Sequence, residues 1–186
     1  ATAYRAGKDG LLTIEELHDV VGDTPGELIA GRFVPMTPTG RPHARTEVRL
    51  ATRLETFASE HGLGEVYTGE VGVLIGRNPD TLRGADIAFV SKQRLVNASP
   101  DGFLDVAPDL IVEIISPSDR WTDVMEKIDD YFAIGVSAVW IVNPKRSQIS
   151  IYRSATNVSL HEAGAVISGE PELPGFTLNT SDIFLA

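Results

Sequence analysis

The sequence predicts an α/β protein with a mixed central β-sheet flanked by at least two helices. Three observations carry this. Apolar residues recur at helical spacing over 43–61 and again over 122–134. Two continuous apolar runs, Leu110–Ile115 and Val136–Val142, suit strands covered on both faces. Shorter alternating segments around them suit further strands.

The elements follow in chain order. Thr13-Ile14-Glu15-Glu16-Leu17 opens a short helix, with Thr13 as N-cap and Glu16 completing a capping box. Gly22 and Pro25-Gly26 end it. Glu27–Pro35, which contains Gly31, reads as a strand or hairpin. In the helix over 43–61, Val48, Ala51, Leu54, Phe57 and Ala58 form the apolar stripe, and Gly62 stops it. Val71–Ile75 and Asp86–Val90 read as strands separated by an Asn78-Pro79-Asp80 turn. Ser91–Ala107 is a polar connection. After the Leu110–Ile115 strand, the helix over 122–134 ends at Gly135, where a C-terminal cap belongs. Asn143-Pro144-Lys145-Arg146 turns the chain into Gln148–Arg153, which alternates like an edge strand, and the tail adds short strands.

A length of 186 residues suits one domain spanning 1–186, with residues 1–10 read as a disordered or truncated N-terminus. Hydrophobic residues at 42% and charged residues at 23% exclude a disordered or fibrous chain. With no cysteine there is no disulfide framework, thiolate metal site or cysteine nucleophile. No apolar run approaches the roughly 20 residues of a membrane span, so no membrane partner and a cytoplasmic location are expected. Sixteen Lys and Arg against 26 Asp and Glu give a net charge of −10, which opposes indiscriminate binding to phosphates. Glycine-rich nucleotide loops, HExxH and GxSxG are all absent.

Acid inside apolar strands is the conspicuous chemistry. Glu113 lies within Leu-Ile-Val-Glu-Ile-Ile and Asp86 opens Asp-Ile-Ala-Phe-Val. Buried carboxylates persist when paired or bound to metal, and two of them from neighbouring strands make a minimal site for a hard cation. Asp109 shares a strand face with Glu113 but lies about 13 Å away, too far for one ion. The plain alternatives are a basic partner for Glu113 and a turn-capping role for Asp86. Lys127, beside the Val124, Ile128 and Tyr131 stripe of the second helix, either points toward the sheet or is an ordinary solvated lysine. Arg41, Arg45, Arg49 and Arg53, with His43 among them, put one basic stripe on the first long helix. That stripe could meet phosphates, or it is a solvated face offset by Glu47 and Glu55.

Several of these pieces in this order resemble one family. They are Glu27-Leu28-Ile29-Ala30-Gly31, Pro38 with His43, and Gly84-Ala85-Asp86-Ile87-Ala88-Phe89-Val90. The series continues through Pro108-Asp109-Leu110-Ile111-Val112-Glu113-Ile114-Ile115-Ser116-Pro117-Ser118, Lys127 with Tyr131, and Gly135-Val136. It closes on Trp140-Ile141-Val142-Asn143-Pro144 and Leu173-Pro174-Gly175. From about residue 11 onward the chain resembles the Uma-type restriction endonuclease family of the PD-(D/E)XK nuclease superfamily.

The resemblance implies a restriction-endonuclease-like core and a metal-dependent phosphodiesterase site. Asp86 and Glu113 would ligate Mg²⁺ or Mn²⁺, Glu27 would be an additional acid near the metal, and Lys127 would be the superfamily lysine moved to the next helix. His43 would contact a phosphate or hold Glu27, and Arg41, Arg45 and Arg49 would position the backbone of a nucleic acid, expected to be DNA. Two departures stand out: Ala85 precedes Asp86 where proline is usual, and Ile115 occupies the usual lysine position. The resemblance therefore implies an endonuclease. Its alternative is a catalytically silent nuclease-fold module that binds nucleic acid or a protein partner, and a third reading is a different phosphodiesterase or metallohydrolase using the same carboxylates on a small substrate. A homodimer would suit an enzyme that cuts two strands.

Overall fold

The computed structural model describes residues 10–117 and 119–184, so most of the expected disordered or truncated N-terminus, and Ser118 of the Ser-Pro-Ser segment, lie outside the described residues. The chain opens with α1 (Ile14–Val21), β1 (Gly26–Ile29), β2 (Arg32–Pro35), α2 (Arg41–Glu60), β3 (Gly64–Gly76) and β4 (Thr81–Ser91). It continues with α3 (Lys92–Leu95), β5 (Leu110–Ile114), α4 (Trp121–Ala133), β6 (Ala138–Asn143), β7 (Gln148–Tyr152) and β8 (Val158–Glu162). β9 (Val166–Ser168), β10 (Thr177–Asn179) and α5 (Ser181–Phe184) end it. The capping box forms: the Thr13 amide donates to Glu16 Oε2 at 3.0 Å and the Glu16 amide to Thr13 Oγ1 at 3.3 Å.

The large sheet runs β2-β1-β4-β5-β6-β7-β8, with β3 also paired to β4. β5 and β6 are parallel and joined through α4, which makes them a βαβ unit; the other pairings are antiparallel. Such a unit needs both faces covered. One cluster packs Leu50, Leu54 and Ala58 of α2 against Ile87, Phe89, Leu110, Val112 and Ile114. The other packs Val124, Ile128 and Tyr131 of α4 against Ala88, Ile111, Val139 and Ile141. The alternating residues of β5 thus serve opposite helices, as strand parity requires. Leu50 and Leu54 are fully buried, so truncating either to alanine should cost about 2–5 kcal/mol.

Three expectations are corrected. The buried line of α2 is His43, Thr46, Leu50, Leu54 and Ala58, whereas Val48 is 59% exposed. Gln148–Arg153 does not form an edge: β7 lies between β6 and β8, and the short, mostly exposed β8 takes the edge instead. The polar connection after Ser91 contains α3, and its Leu104 bridges to Val73. Among the described residues no helix is long and apolar enough to cross a membrane.

Candidate active site

The site sits at a gap in the sheet. β3 runs along one edge of β4 from Thr81 to Ser91, so β1 and β5 must share the other edge. β1 pairs there at Leu82 and β5 at Ile87–Phe89, which leaves 83–86 between them without a strand partner. In an antiparallel strand the N–H and C=O of one residue point to the same edge. At Gly84 both point into the gap, and side chains satisfy them. The Gly84 amide donates to Glu27 Oε1 at 3.0 Å, and its carbonyl accepts from Lys127 Nζ at 2.8 Å.

Asp86 and Glu113 face this gap from adjacent strands. The register pairs Ile87 with Val112, so the next step brings Asp86 beside Glu113. The Ile114 amide donates to Asp86 Oδ2 at 2.6 Å, which fixes that carboxylate against β5. Glu113 is held on both oxygens: Lys127 Nζ lies 2.9 Å from Oε2, and the Tyr131 hydroxyl donates to Oε1 at 2.6 Å. Burial pushes the Glu113 carboxyl up to about 7; Lys127 pulls against that shift and Asp86 adds to it. Burial works against the charge on Lys127, but the Glu113 and Glu27 carboxylates outweigh it and raise its pKa. A close ion pair on a helix next to the sheet is what keeps these charges inside.

Glu27 is engaged on both oxygens as well. Besides the Gly84 amide, its Oε1 lies 3.2 Å from Lys127 Nζ, and its Oε2 accepts from Arg83 Nη1 at 3.0 Å. Arg83 in turn donates from Nε to Asp130 on α4 at 2.7 Å. The result is a chain of alternating charge, Asp130–Arg83–Glu27–Lys127–Glu113, that ties β1, β4 and β5 to α4.

On the other side of Asp86, His43 Nε2 from the first turn of α2 lies 3.1 Å from Oδ1. Burial opposes protonation of this imidazole, yet Asp86 at hydrogen-bond distance raises its pKa, with Glu47 and Glu70 adding to the effect. Donor atoms of His43, Glu70 and Asp86 all lie within 4.8 Å of one another.

Asp86, Glu113, Lys127, Glu27 and His43 therefore converge, with His43 on Asp86 and not on Glu27. Asp109 stands apart: it accepts from the Ser91 amide at 2.7 Å and lies 3.1 Å from Arg94. In the arginine stripe, Arg41 and Arg45 are exposed, while half-buried Arg49 donates to the Ile183 carbonyl at 3.3 Å. Three participants have no role that the sequence assigns. Tyr131 stands there in an apolar stripe and beside Lys127 in the family resemblance, with no contact to Glu113 implied. Arg83 carried no pattern of its own. Glu70 follows Gly69 inside a strand, and a glycine there is itself a signal for a bulge.

The donor set fits a divalent cation. Oxygen ligands suit Mg²⁺ and Mn²⁺, and Asp86, Glu70 and Glu113 crowd negative charge into one partly buried place. Gly84 helps make room for it: a Cβ there would lie 3.2 Å from Glu70 Oε2.

A mixed sheet whose βαβ unit carries buried acid and a helix-borne lysine defines a protein of the restriction-endonuclease-like class, and the comparisons agree. A family model described as "Putative restriction endonuclease" matches residues 14–181, so the chain belongs to that family, Uma2. A solved structure from Anabaena variabilis, described as "a putative nuclease belonging to DUF820", superposes with a TM-score of 0.78 at 18% identity. The match covers 93% of this chain and 97% of that one, and it shows the fold. No curated protein matches the chain.

Proposed function

We propose that this chain is a metal-dependent endonuclease that hydrolyses phosphodiester bonds in nucleic acid, with DNA as substrate. The observation that carries the reading is the convergence of Asp86 and Glu113 from adjacent strands with Lys127 2.9 Å from Glu113. Lys127 thus reaches from the helix to the place its usual strand position, filled by Ile115, leaves without a cation. Asp86 and Glu113 would hold Mg²⁺ or Mn²⁺, which in such a site lowers the pKa of a bound water and offsets charge on the phosphoryl oxygens.

The chain's own residues supply the rest. Lys127 favours the ionised form of Glu113 against the effect of burial and adds a fixed positive charge beside the phosphate. Glu27 orients Lys127 and anchors the Gly84 amide, and Arg83 holds Glu27 in turn. Tyr131 fixes the second oxygen of Glu113. Arg41 and Arg45, exposed on the first turns of α2, would contact the sugar–phosphate backbone without reading sequence.

The test is cleavage of plasmid and single-stranded DNA by the purified chain with Mg²⁺, Mn²⁺ or EDTA. Wild type should cut with metal and not in EDTA, and the double variant Asp86→Ala, Glu113→Ala should not cut. Equal product from the two proteins sinks the reading. A second reading, a nuclease fold that binds without cutting, draws on the fact that both Glu113 oxygens are already taken. It predicts metal-dependent retention of DNA and no product.

A further inference from the structure

The strand pairing opposite Asp86 is irregular in a way that serves the site. Thr68 pairs with Ile87 and Val71 with Ala85, so two residues of β3, Gly69 and Glu70, oppose the single residue Asp86. This is a β-bulge, a device that re-aims side chains beside active sites. Both bulge residues have positive φ, 81° at Gly69 and 61° at Glu70. That conformation is uncommon for any residue but glycine. Glu47, one helical turn beyond His43 on α2, holds the bulge in place by accepting from the Gly69 amide at 3.2 Å and from the Thr68 hydroxyl.

Half-buried Glu70 differs from the buried acids of the site in one respect. Glu113 has Lys127, and Glu27 has Arg83 and Lys127. Among the described residues Glu70 makes no ion pair, and it stands within 4.8 Å of another carboxylate and an imidazole. Two carboxylates brought together without a cation repel one another, so a built arrangement of this kind calls for a cation between them.

We infer that Glu70, delivered by the bulge, is a metal ligand of this chain together with Asp86 and His43, and that the imidazole makes the site prefer Mn²⁺ to Mg²⁺. The inference rests on the reading of a divalent-metal centre at Asp86. Mg²⁺ takes oxygen ligands and keeps its waters, whereas a nitrogen ligand suits transition metals.

The experiment titrates Mn²⁺ and Mg²⁺ into the full chain, stripped of metal, by calorimetry, for wild type, Glu70→Gln, His43→Gln and the distant exposed control Glu60→Gln. Folding is checked by circular dichroism. Wild type and Glu60→Gln should bind Mn²⁺ alike, and Glu70→Gln should bind at least about tenfold more weakly. The Mn²⁺-to-Mg²⁺ affinity ratio should exceed tenfold in wild type and collapse in His43→Gln. Electron paramagnetic resonance of the wild-type Mn²⁺ complex should show nitrogen coupling that His43→Gln lacks, a readout that stands even if Glu70→Gln does not fold. Mn²⁺ binding unchanged in folded Glu70→Gln, or a wild-type complex without nitrogen coupling, overturns the inference and leaves a centre at Asp86 and Glu113 intact. No Mn²⁺ binding by wild type overturns the metal-dependent reading as well.

Discussion

The Lys127 ammonium donates to the Gly84 carbonyl at 2.8 Å, so a helix side chain occupies a place on β4 that a neighbouring strand would otherwise fill. The same ammonium lies 2.9 Å from Glu113 and 3.2 Å from Glu27. Its three donors are thereby used, and one cation holds three strands around the gap.

Lys127→Ala should therefore destabilise the fold as well as abolish cutting. It leaves Glu113 and Glu27 without their shared partner. Breaking a buried pair costs about 3–5 kcal/mol. With 18% of the Lys127 side chain exposed, the lower end of that range applies. Urea unfolding checks the value. Adding Glu113→Gln to Lys127→Ala should recover part of it, because the uncompensated charge is then gone.

The metal-free protein should lose stability as pH rises. Burial, with Asp86 nearby, pushes Glu70 up to about 7, as burial does Glu113, from an ordinary 4.5. A carboxyl with a raised folded pKa binds more protons folded than unfolded, so stability falls between about pH 4.5 and 7. His43, whose pKa is also raised, acts in the same direction, since its contribution fades as pH passes its folded value. The melting temperature in EDTA should decline from pH 5 to 8. Mn²⁺ should flatten or reverse that slope, because it binds the deprotonated carboxylates.

Tyr131→Phe isolates the hydrogen bond to Glu113. The hydroxyl is fully buried and donates at 2.6 Å, so its loss leaves a buried carboxylate oxygen unsatisfied at about 1–3 kcal/mol. That hydrogen bond lowers the Glu113 pKa, so the acidic limb of the activity profile should move to higher pH. An unmoved limb would remove Tyr131 from the tuning of Glu113.

The arginines of α2 should separate into two groups. Arg45 is exposed, and Arg45→Glu should weaken DNA binding at every sequence and reduce the salt slope of log Kd by about one. Arg49 donates to the Ile183 carbonyl, so Arg49→Ala should chiefly lower the melting temperature by loosening α5. Against a net charge of −10, wild-type binding in EDTA should be weak and steeply salt-dependent. Fluorescence anisotropy against salt concentration reads the binding, and a thermal melt reads Arg49→Ala.

Much of this protein is determined by the sequence alone. The 3.6-residue spacing in α2 and α4 and the unbroken apolar runs of β5 and β6 fix a layered α/β fold, because each element has one way to bury its apolar surface. Acid in apolar strands marks Glu113 inside β5 and Asp86 in β4, since a carboxylate among Ile, Val and Leu needs a partner. What only the tertiary structure decides is how partners are shared. Two strands meeting one edge of β4 open the gap at Gly84, and no local pattern announces it. β7 alternates like an edge strand, yet β8 covers it. Tyr131 looks apolar in sequence because its ring is; only across the sheet does its hydroxyl find Glu113. Glu70 is nearly as quiet: Gly69 hints at a bulge, but only the register of β3 against β4 has one extra residue turn Glu70 toward Asp86.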